Sequence, residues 1–198
     1  MSYPVHFAAQ PAERFTRLQL GLRILALIAI GVTGASTGGL YCILYLGLPV
    51  LAAVRIATLG SAAAYASGDG PLILAGLRWA AAVTSWLGLA VENLPQKSPD
   101  EVMRLEISGT PAASPGTAAL RILLGLPSAF VLGVLSFVGF FVFCWAAVTI
   151  VFGQRVAPSA WAYLVGLQRW SYRLLAYQAA LVDEYPPFAL SEDPLAGL

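Results

Sequence analysis

Charged residues are scarce in this chain, and their scarcity argues against an ordinary soluble protein. Asp, Glu, Lys and Arg together make up 11% of the 198 residues, hydrophobic residues make up 59%, and the mean hydropathy is +0.77. A soluble domain usually has about a quarter of its residues charged. A chain of this length also cannot surround such apolar segments with enough protein to hide them from water. The composition therefore indicates a membrane protein.

Cysteine and histidine are also rare, which argues against several kinds of chemistry. The chain has two cysteines, Cys42 and Cys144, and one histidine, His6. Two isolated thiols in apolar surroundings indicate neither a disulfide framework nor a metal site, and we interpret them as packing residues. A lone histidine with no second ligand or nucleophile nearby is more often a surface residue than a catalyst. Since the sequence also has no glycine-rich phosphate loop and no nucleophile elbow, we predict no enzymatic activity, no cofactor and no metal.

The basic residues are few and scattered along the chain. The eleven lysines and arginines give a formal net charge of +1. Binding to the nucleic-acid backbone requires basic side chains gathered on one surface. We therefore expect no nucleic-acid partner.

Two long uncharged segments occupy equivalent places in an internal repeat. They lie between Arg23 and Arg55 and between Arg121 and Arg155. Each is longer than the roughly twenty residues that cross the hydrocarbon core of a bilayer as a helix. The residues at the start of the two segments match, as Leu22-Arg23-Ile24-Leu25 and Leu120-Arg121-Ile122-Leu123. Further along, Arg78-Trp79 matches Arg169-Trp170, and the acidic residue Glu92 matches Asp183.

The repeat predicts the domain organisation and the fold class. A first unit spans residues 1–95, a polar linker 96–100, and a second unit 101–198. We predict an all-α integral membrane protein of two tandem pseudo-symmetric helical-hairpin units with about four membrane helices. One long tilted helix is expected for each uncharged segment; a break near residues 34–38 is the alternative, but it would leave halves short for a crossing. The second helix of each unit either returns through the membrane or lies in its interface.

Each unit begins with a short extended segment. Val5-His6-Phe7 opens the first unit, and residues 102–107 open the second with alternating apolar and polar side chains. Alternation with a period of two is typical of a half-exposed strand. Because the two segments are equivalent in the repeat, we predict that they pair into a small β element at the membrane face.

The second helices carry the candidate site residues. Small residues spaced three or four apart fall on one helical stripe, which favours close helix packing; they are Ala75, Ala82 and Ser85 in the first unit and Ala162, Gly166, Ala176 and Ala180 in the second. Arg78, Arg169 and Arg173 lie on the same stripe. Ionisable groups at membrane depth are costly, so we expect these arginines and Asp183 to bind a lipid headgroup or an anion, or to form ion pairs within the protein.

The charge pattern also predicts orientation. Basic residues precede the first long segment, and equivalent arginines open both, so the positive-inside tendency places the two units the same way up. We therefore expect a multi-pass protein of the bacterial inner (cytoplasmic) membrane with both termini in the cytoplasm.

The second unit resembles a known bacterial family. The residues that carry the resemblance are Arg121 to Pro127, Phe152-Gly153-Gln154-Arg155, Gln168-Arg169-Trp170, Tyr177, and the closing Asp183-Glu184-Tyr185-Pro186-Pro187-Phe188. Together they are similar to the family called domain of unknown function 4389. The first unit resembles it as a degenerate copy that keeps Arg78-Trp79 and Leu94-Pro95. The resemblance implies a membrane protein with no assigned activity.

These observations lead to one expected function and one alternative. We expect a non-enzymatic accessory or assembly subunit of a membrane complex that acts through helix packing, with membrane lipids and other membrane subunits, or a second copy, as partners. The alternative is a small transport or lipid-binding protein with an arginine-lined anionic site between the repeats.

Overall fold

The structure is a computed structural model that describes residues 3–33, 36–109 and 111–191. It is mostly helical, with one small sheet. The elements follow the chain in the order β1 (Val5–Ala9), α1 (Arg17–Val32), α2 (Thr37–Leu59), α3 (Ala62–Gly68), α4 (Gly70–Leu87), a 3-10 turn (Pro99–Glu101), β2 (Met103–Ile107), α5 (Pro115–Leu124), α6 (Leu126–Gly153) and α7 (Pro158–Gln178).

Two helical stretches are long and apolar enough to cross a membrane. One is α2, and the other is the continuous stretch Pro115–Gly153 formed by α5 and α6. The rest of the chain covers little of the most apolar part of each stretch. In α2, 28% of that part is buried, and in the second stretch 17% is buried. Large apolar surfaces left uncovered in this way are consistent with membrane association.

The prediction of one long helix for the first uncharged segment is wrong. The helix stops at Val32 and restarts at Thr37, so α1 and α2 are separate helices; Gly34 and Ala35 lie outside the described residues. Ser36 caps the new helix by accepting a hydrogen bond from Gly39 N at 2.8 Å. A serine at the N-cap favours the start of a new helix, and nearby glycines disfavour continuation of the preceding helix.

The second uncharged segment is nearly continuous. A single residue, Gly125, separates α5 from α6, and its backbone keeps helical angles (φ −76°, ψ −14°). Pro127 explains the interruption because its nitrogen cannot donate to the carbonyl four residues earlier. Gly125 is also the point of closest approach to other elements: a Cβ there would overlap the Gln178 amide and lie 2.8 Å from the Tyr45 hydroxyl.

The predicted β element is present. β1 and β2 pair antiparallel, with Phe7 opposite Leu105 at the centre of the register. Both strands bury alternate residues, while His6 on the other face is exposed. β1 lies against α7 and β2 against α4. The sheet therefore joins the start of the chain to the segment that follows the linker.

The helix α7 forms the centre of the fold. It packs against α2, α4, α5, α6 and β1, and most of its residues from Leu164 to Gln178 are buried.

The positions of the two cysteines differ from the interpretation of them as packing residues. Cys42 on α2 and Cys144 on α6 are both exposed.

Candidate functional site

Arg23, in α1, is fully buried and binds the segment that follows α4. Its Nη2 atom donates to the carbonyl oxygens of Val91 and Glu92, both at 2.6 Å, and lies 3.4 Å from Glu92 Oε2. Its guanidinium lies 5.7 Å from the ring centre of Phe15 and 5.6 Å from that of Trp86. A buried charge is costly unless it is paired and hydrogen-bonded, so these contacts make the burial of Arg23 tolerable.

Arg121, in α5, binds the segment that follows α7. Its Nη1 atom donates to the carbonyl oxygens of Tyr177 at 2.5 Å and Val182 at 2.6 Å, and its Nη2 atom donates to Asp183 Oδ1 at 2.6 Å. The guanidinium lies 4.4 Å from the centre of the Tyr177 ring. The other carboxylate oxygen of Asp183 accepts a hydrogen bond from Ala112 N at 2.6 Å.

These two clusters share the same set of contacts. Each arginine donates to a valine carbonyl and faces the carboxylate of the next residue, Val91 and Glu92 in the first unit and Val182 and Asp183 in the second. Glu92 Oε1 also accepts from Thr16 N at 2.9 Å, at the start of α1. The first cluster therefore joins α1 to the segment after α4, and the second joins α5 to the segment after α7.

The turns after α4 and α7 also correspond. Leu89 and Ala180 both adopt a left-handed backbone conformation, with φ of 60° and 53°. Residues other than glycine seldom adopt it. Each turn is closed by a hydrogen bond from the following N–H to a carbonyl in the last turn of the helix. The two turns present the carbonyls that the buried arginines bind.

Arg78 and Arg169 each bind one strand of the small sheet. Arg78 Nε, on α4, donates to Leu105 O at 2.8 Å, and Arg169 Nε, on α7, donates to Phe7 O at 3.1 Å. Phe7 and Leu105 face each other across the sheet. The arginines thus hold the sheet against the two second helices.

Arg169 and Arg173 also contact the segment before the C-terminus. Arg169 Nη1 donates to Leu190 O at 2.7 Å, and Arg173 Nη1 donates to Ser191 O at 3.2 Å. The Arg173 guanidinium lies 5.5 Å from the centre of the Tyr3 ring. Both arginines therefore contact other parts of this chain.

The structure divides the predicted small-residue stripe. Ala82, Ser85, Gly166, Ala176 and Ala180 are buried, whereas Ala75 and Ala162 are exposed. Ala180 lies beyond the end of α7. A Cβ at Gly166 would lie 2.7 Å from Leu190 Cβ, so its close neighbour is the C-terminal segment and not another helix. The buried members of the stripe are therefore covered by other parts of this chain and are not free to pack against another protein.

A cavity of about 640 Å³ lies between α2, α4, α6 and α7. None of the described residues that line it is charged. Leu40 and Leu46 on α2 and Gly133 and Ser136 on α6 line the cavity and are also exposed on the outer surface. The cavity therefore opens between α2 and the second membrane-length stretch.

Hydroxyl and amide groups form the polar part of the cavity. Thr84 Oγ1 lies 2.8 Å from the Tyr172 hydroxyl and donates to Gln168 Oε1 at 3.1 Å, while Gln168 Nε2 donates to Thr84 O at 2.9 Å. The hydroxyl of Tyr41 is buried and has no hydrogen-bond partner among the described residues. An unpaired buried hydroxyl is uncommon in folded proteins.

An exposed ion pair lies at the junction of α3 and α4. Arg55 Nε and Nη2 donate to the two carboxylate oxygens of Asp69 at 2.5 and 2.9 Å. The hydrogen bond from Arg55 lowers the pKa of Asp69 below its usual value.

Among the residues that the structure describes, no group of three His, Cys, Asp or Glu side chains could hold a metal ion.

Sequence reasoning missed the pairing of Arg23 with Glu92 and of Arg121 with Asp183. These four residues are landmarks of the predicted repeat, but their pairing was not predicted. The sequence contained a signal for this pairing, because each predicted unit has an arginine near its start and an acidic residue near its end, at matching positions. Asp183 pairs with an arginine of its own unit.

A family comparison bears on the second unit. Residues 115–189 match the family model described as Domain of unknown function (DUF4389). The second unit is similar to this family. The DUF4389 match runs from the start of α5 past Asp183 and includes the Arg121 cluster, and it does not extend to the first unit. No curated protein and no solved structure matches the chain.

Proposed function

We propose that the chain is a non-enzymatic, multi-pass protein of the bacterial inner membrane, built from two tandem pseudo-symmetric units, with both termini in the cytoplasm. It acts through helix packing as an accessory or assembly subunit of a membrane complex. The observation that carries this function is the exposed aromatic stripe of α6.

The helix α6 has two opposite stripes. The buried one, with members four or seven residues apart, consists of Ser128, Leu132, Gly139, Ala146 and Ile150. On the opposite side, also at helical spacing, lie Phe130, Phe137, Phe141 and Phe152, with exposed fractions of 74%, 69%, 57% and 83%. We call this second set the aromatic stripe. The aromatic stripe points away from the rest of the chain, because the buried stripe on the opposite side of α6 packs against the rest of the chain.

The other membrane-length helix provides a contrast. The exposed large residues of α2 are aliphatic, namely Leu40, Ile43, Leu46, Val50, Leu51, Val54 and Leu59. Aliphatic side chains are sufficient for contact with lipid tails. Aromatic side chains are enriched in the cores of protein interfaces, where each buries a large area. The difference supports a protein partner on α6 and lipid on α2.

Several paired contacts support the two-unit architecture. The central residues Phe7 and Leu105 face each other in the sheet, and Arg78 and Arg169 cross over to the carbonyls of these same residues. The second half of each uncharged segment packs on the first half of the other, α2 on α5 and α6 on α1. A pseudo-twofold axis through the Phe7–Leu105 pair accounts for all of these contacts.

Site-specific photo-crosslinking tests the partner surface. A photoreactive phenylalanine analogue replaces Phe137 in the aromatic stripe, and the control carries it at Val50, which is exposed on α2. After irradiation of native membranes, we expect a discrete protein adduct from position 137 and none from position 50. An adduct of twice the chain mass would identify a second copy as the partner. Absence of a protein adduct from position 137, or the same adducts from both positions, would contradict the proposal.

The arginine-lined anionic site is less well supported as a function. Arg78, Arg169 and Arg173 all donate to backbone carbonyl oxygens of the chain itself. These contacts favour a structural role. Under the proposed function, replacement of Arg169 and Arg173 by glutamine leaves anion flux across reconstituted vesicles unchanged.

A further inference from the structure

We infer that the cavity between α2, α4, α6 and α7 binds an acyl chain of a membrane glycerolipid, and that the Tyr41 hydroxyl donates to the ester carbonyl of that lipid. This inference rests on the proposed membrane location and goes beyond the accessory role. It concerns a different surface from the aromatic stripe.

The lining chemistry selects an uncharged, mainly apolar ligand. Since none of the described lining residues is charged, a charged headgroup inside the cavity would be left without a counter-ion. The volume of about 640 Å³ lies within the usual range of small-molecule sites, about 300–1,000 Å³. A flexible hydrocarbon chain fits these conditions when its headgroup stays outside.

The position of the opening points to lipid as the occupant. The opening lies between α2 and α6, which are both membrane-length and carry exposed apolar side chains such as Leu46 and Val134. In a bilayer the opening therefore faces the hydrocarbon region. Lipid is the most concentrated ligand there, and mass action favours its binding.

The polar part of the cavity distinguishes a lipid from a partner helix. Thr84, Gln168 and Tyr172 largely satisfy one another, but the buried hydroxyl of Tyr41 has no partner among the described residues. It needs an acceptor brought by the ligand. The carbonyls of an inserted helix are already bonded within that helix, whereas a lipid ester carbonyl is free to accept.

Two glycines provide a cavity-filling variant and its matched control. A Cβ at Gly133 meets no atom within 4 Å, and Gly133 lines the cavity. Gly47, on α2, is equally open but does not line it. Gly133→Leu therefore places its Cβ in open space at the cavity wall and adds side-chain volume there. Gly47→Leu makes the same chemical change at a position of α2 that does not line the cavity.

Two tyrosines provide a second pair of variants. Tyr41→Phe removes the hydroxyl in the cavity and keeps the ring. Tyr163→Phe removes a hydroxyl that donates to Leu135 O at 2.9 Å and does not line the cavity. Loss of one hydrogen bond to the ligand corresponds to roughly a three- to tenfold change in retention.

Native mass spectrometry of the full chain, extracted from its own membrane in mild detergent, tests the inference. We expect one bound phospholipid on the wild type, Gly47→Leu and Tyr163→Phe. Gly133→Leu should lose it, and Tyr41→Phe should release it about three to ten times faster during washing. Equal retention in all five proteins, no bound lipid, or a bound isoprenoid quinone without an acyl ester would overturn the inference. Recovery of the chain outside the membrane fraction would instead refute the proposed membrane function.

Discussion

Arg23 and Arg121 show how a few side chains determine the path of the backbone. Both are at least 95% buried, and both bind the turn that ends their unit. Arg121 donates through two terminal nitrogens to two carbonyls and a carboxylate, whereas Arg23 reaches both of its carbonyls through Nη2 alone. A lysine at position 121 would replace the two donating nitrogens, which the guanidinium holds in a fixed plane, by a single charged nitrogen.

Replacement of Arg121 by methionine tests this role. Methionine keeps the length of the side chain but removes the Arg121 donors from the carbonyls of Tyr177 and Val182. The Tyr177 carbonyl then keeps only the hydrogen bond from Ala180 N, at 3.0 Å. We expect a loss of about 2–4 kcal/mol in the free energy of unfolding, measured by denaturant titration in detergent. Arg104→Met, at an exposed position on β2, should change stability little. Equal stability of the two variants would show that the Arg121 cluster does not anchor the turn.

The pair of Arg55 and Asp69 predicts a pH dependence. Because the pKa of Asp69 is lowered in the folded protein, the stabilisation is present above the usual carboxyl pKa and is lost as the pH falls through the lowered value. Asp69→Asn should therefore melt at a lower temperature than the wild type near pH 7, by a small amount because the pair is exposed. The difference should begin to shrink as the pH falls below about 4 and should disappear once the pH is below the lowered pKa of Asp69.

Glu106→Gln serves as the control for this measurement, since it makes the same change in net charge at an exposed position on β2. A melting-temperature difference for Asp69→Asn that stays constant from pH 3 to about pH 7 would show that charge on Asp69 is not its cause.

At the scale of single residues, the sequence identified costly charges but not their partners. Arg78, Arg169 and Arg173 stand out because a charge in an apolar helix must be compensated. Their actual acceptors are backbone carbonyls of the sheet and the C-terminal segment. A carbonyl has no sequence signature, so only the folded path of the chain reveals such contacts.

The strand pair and the membrane-length helices could be predicted from the sequence, but the break before α2 was not predicted although its cause is local. The strand pair follows from alternation and from the equivalence of two segments, and the membrane-length helices follow from uncharged length. The break before α2 was rejected because each half was assumed to cross the bilayer. The N-cap at Ser36 makes the break locally favourable whatever each half does.

The junction of α5 and α6 gives a prediction for an element. A methyl group at Gly125 would displace Gln178 and Tyr45, which donate to the carbonyls of Arg121 and Ile122 at 3.0 and 2.7 Å. We expect Gly125→Ala to cost about 1–3 kcal/mol in unfolding free energy. Gly116→Ala, on α5 with nothing within 4 Å, is the matched control and should be neutral or slightly stabilising.

For the whole molecule, the orientation of the two units is the central prediction. Thr58, near the end of α2, and Arg155, just after α6, are exposed and lie at matching places in the units. In a chain whose native cysteines are replaced by serine, Thr58→Cys and Arg155→Cys should react with a membrane-impermeant maleimide from the same side. Labelling from opposite sides would exclude two units in parallel orientation.

The ladder between β1 and β2 imposes an order on biogenesis. Val5 pairs with Ile107, so the first strand leaves the ribosome long before its partner has been translated. Throughout that interval Phe7 has neither the strand opposite it nor Arg169 to bind its carbonyl. The first strand therefore stays without its partner until a little over half of the polypeptide has been made, and the Phe7 carbonyl stays without its arginine until most of the polypeptide has been made.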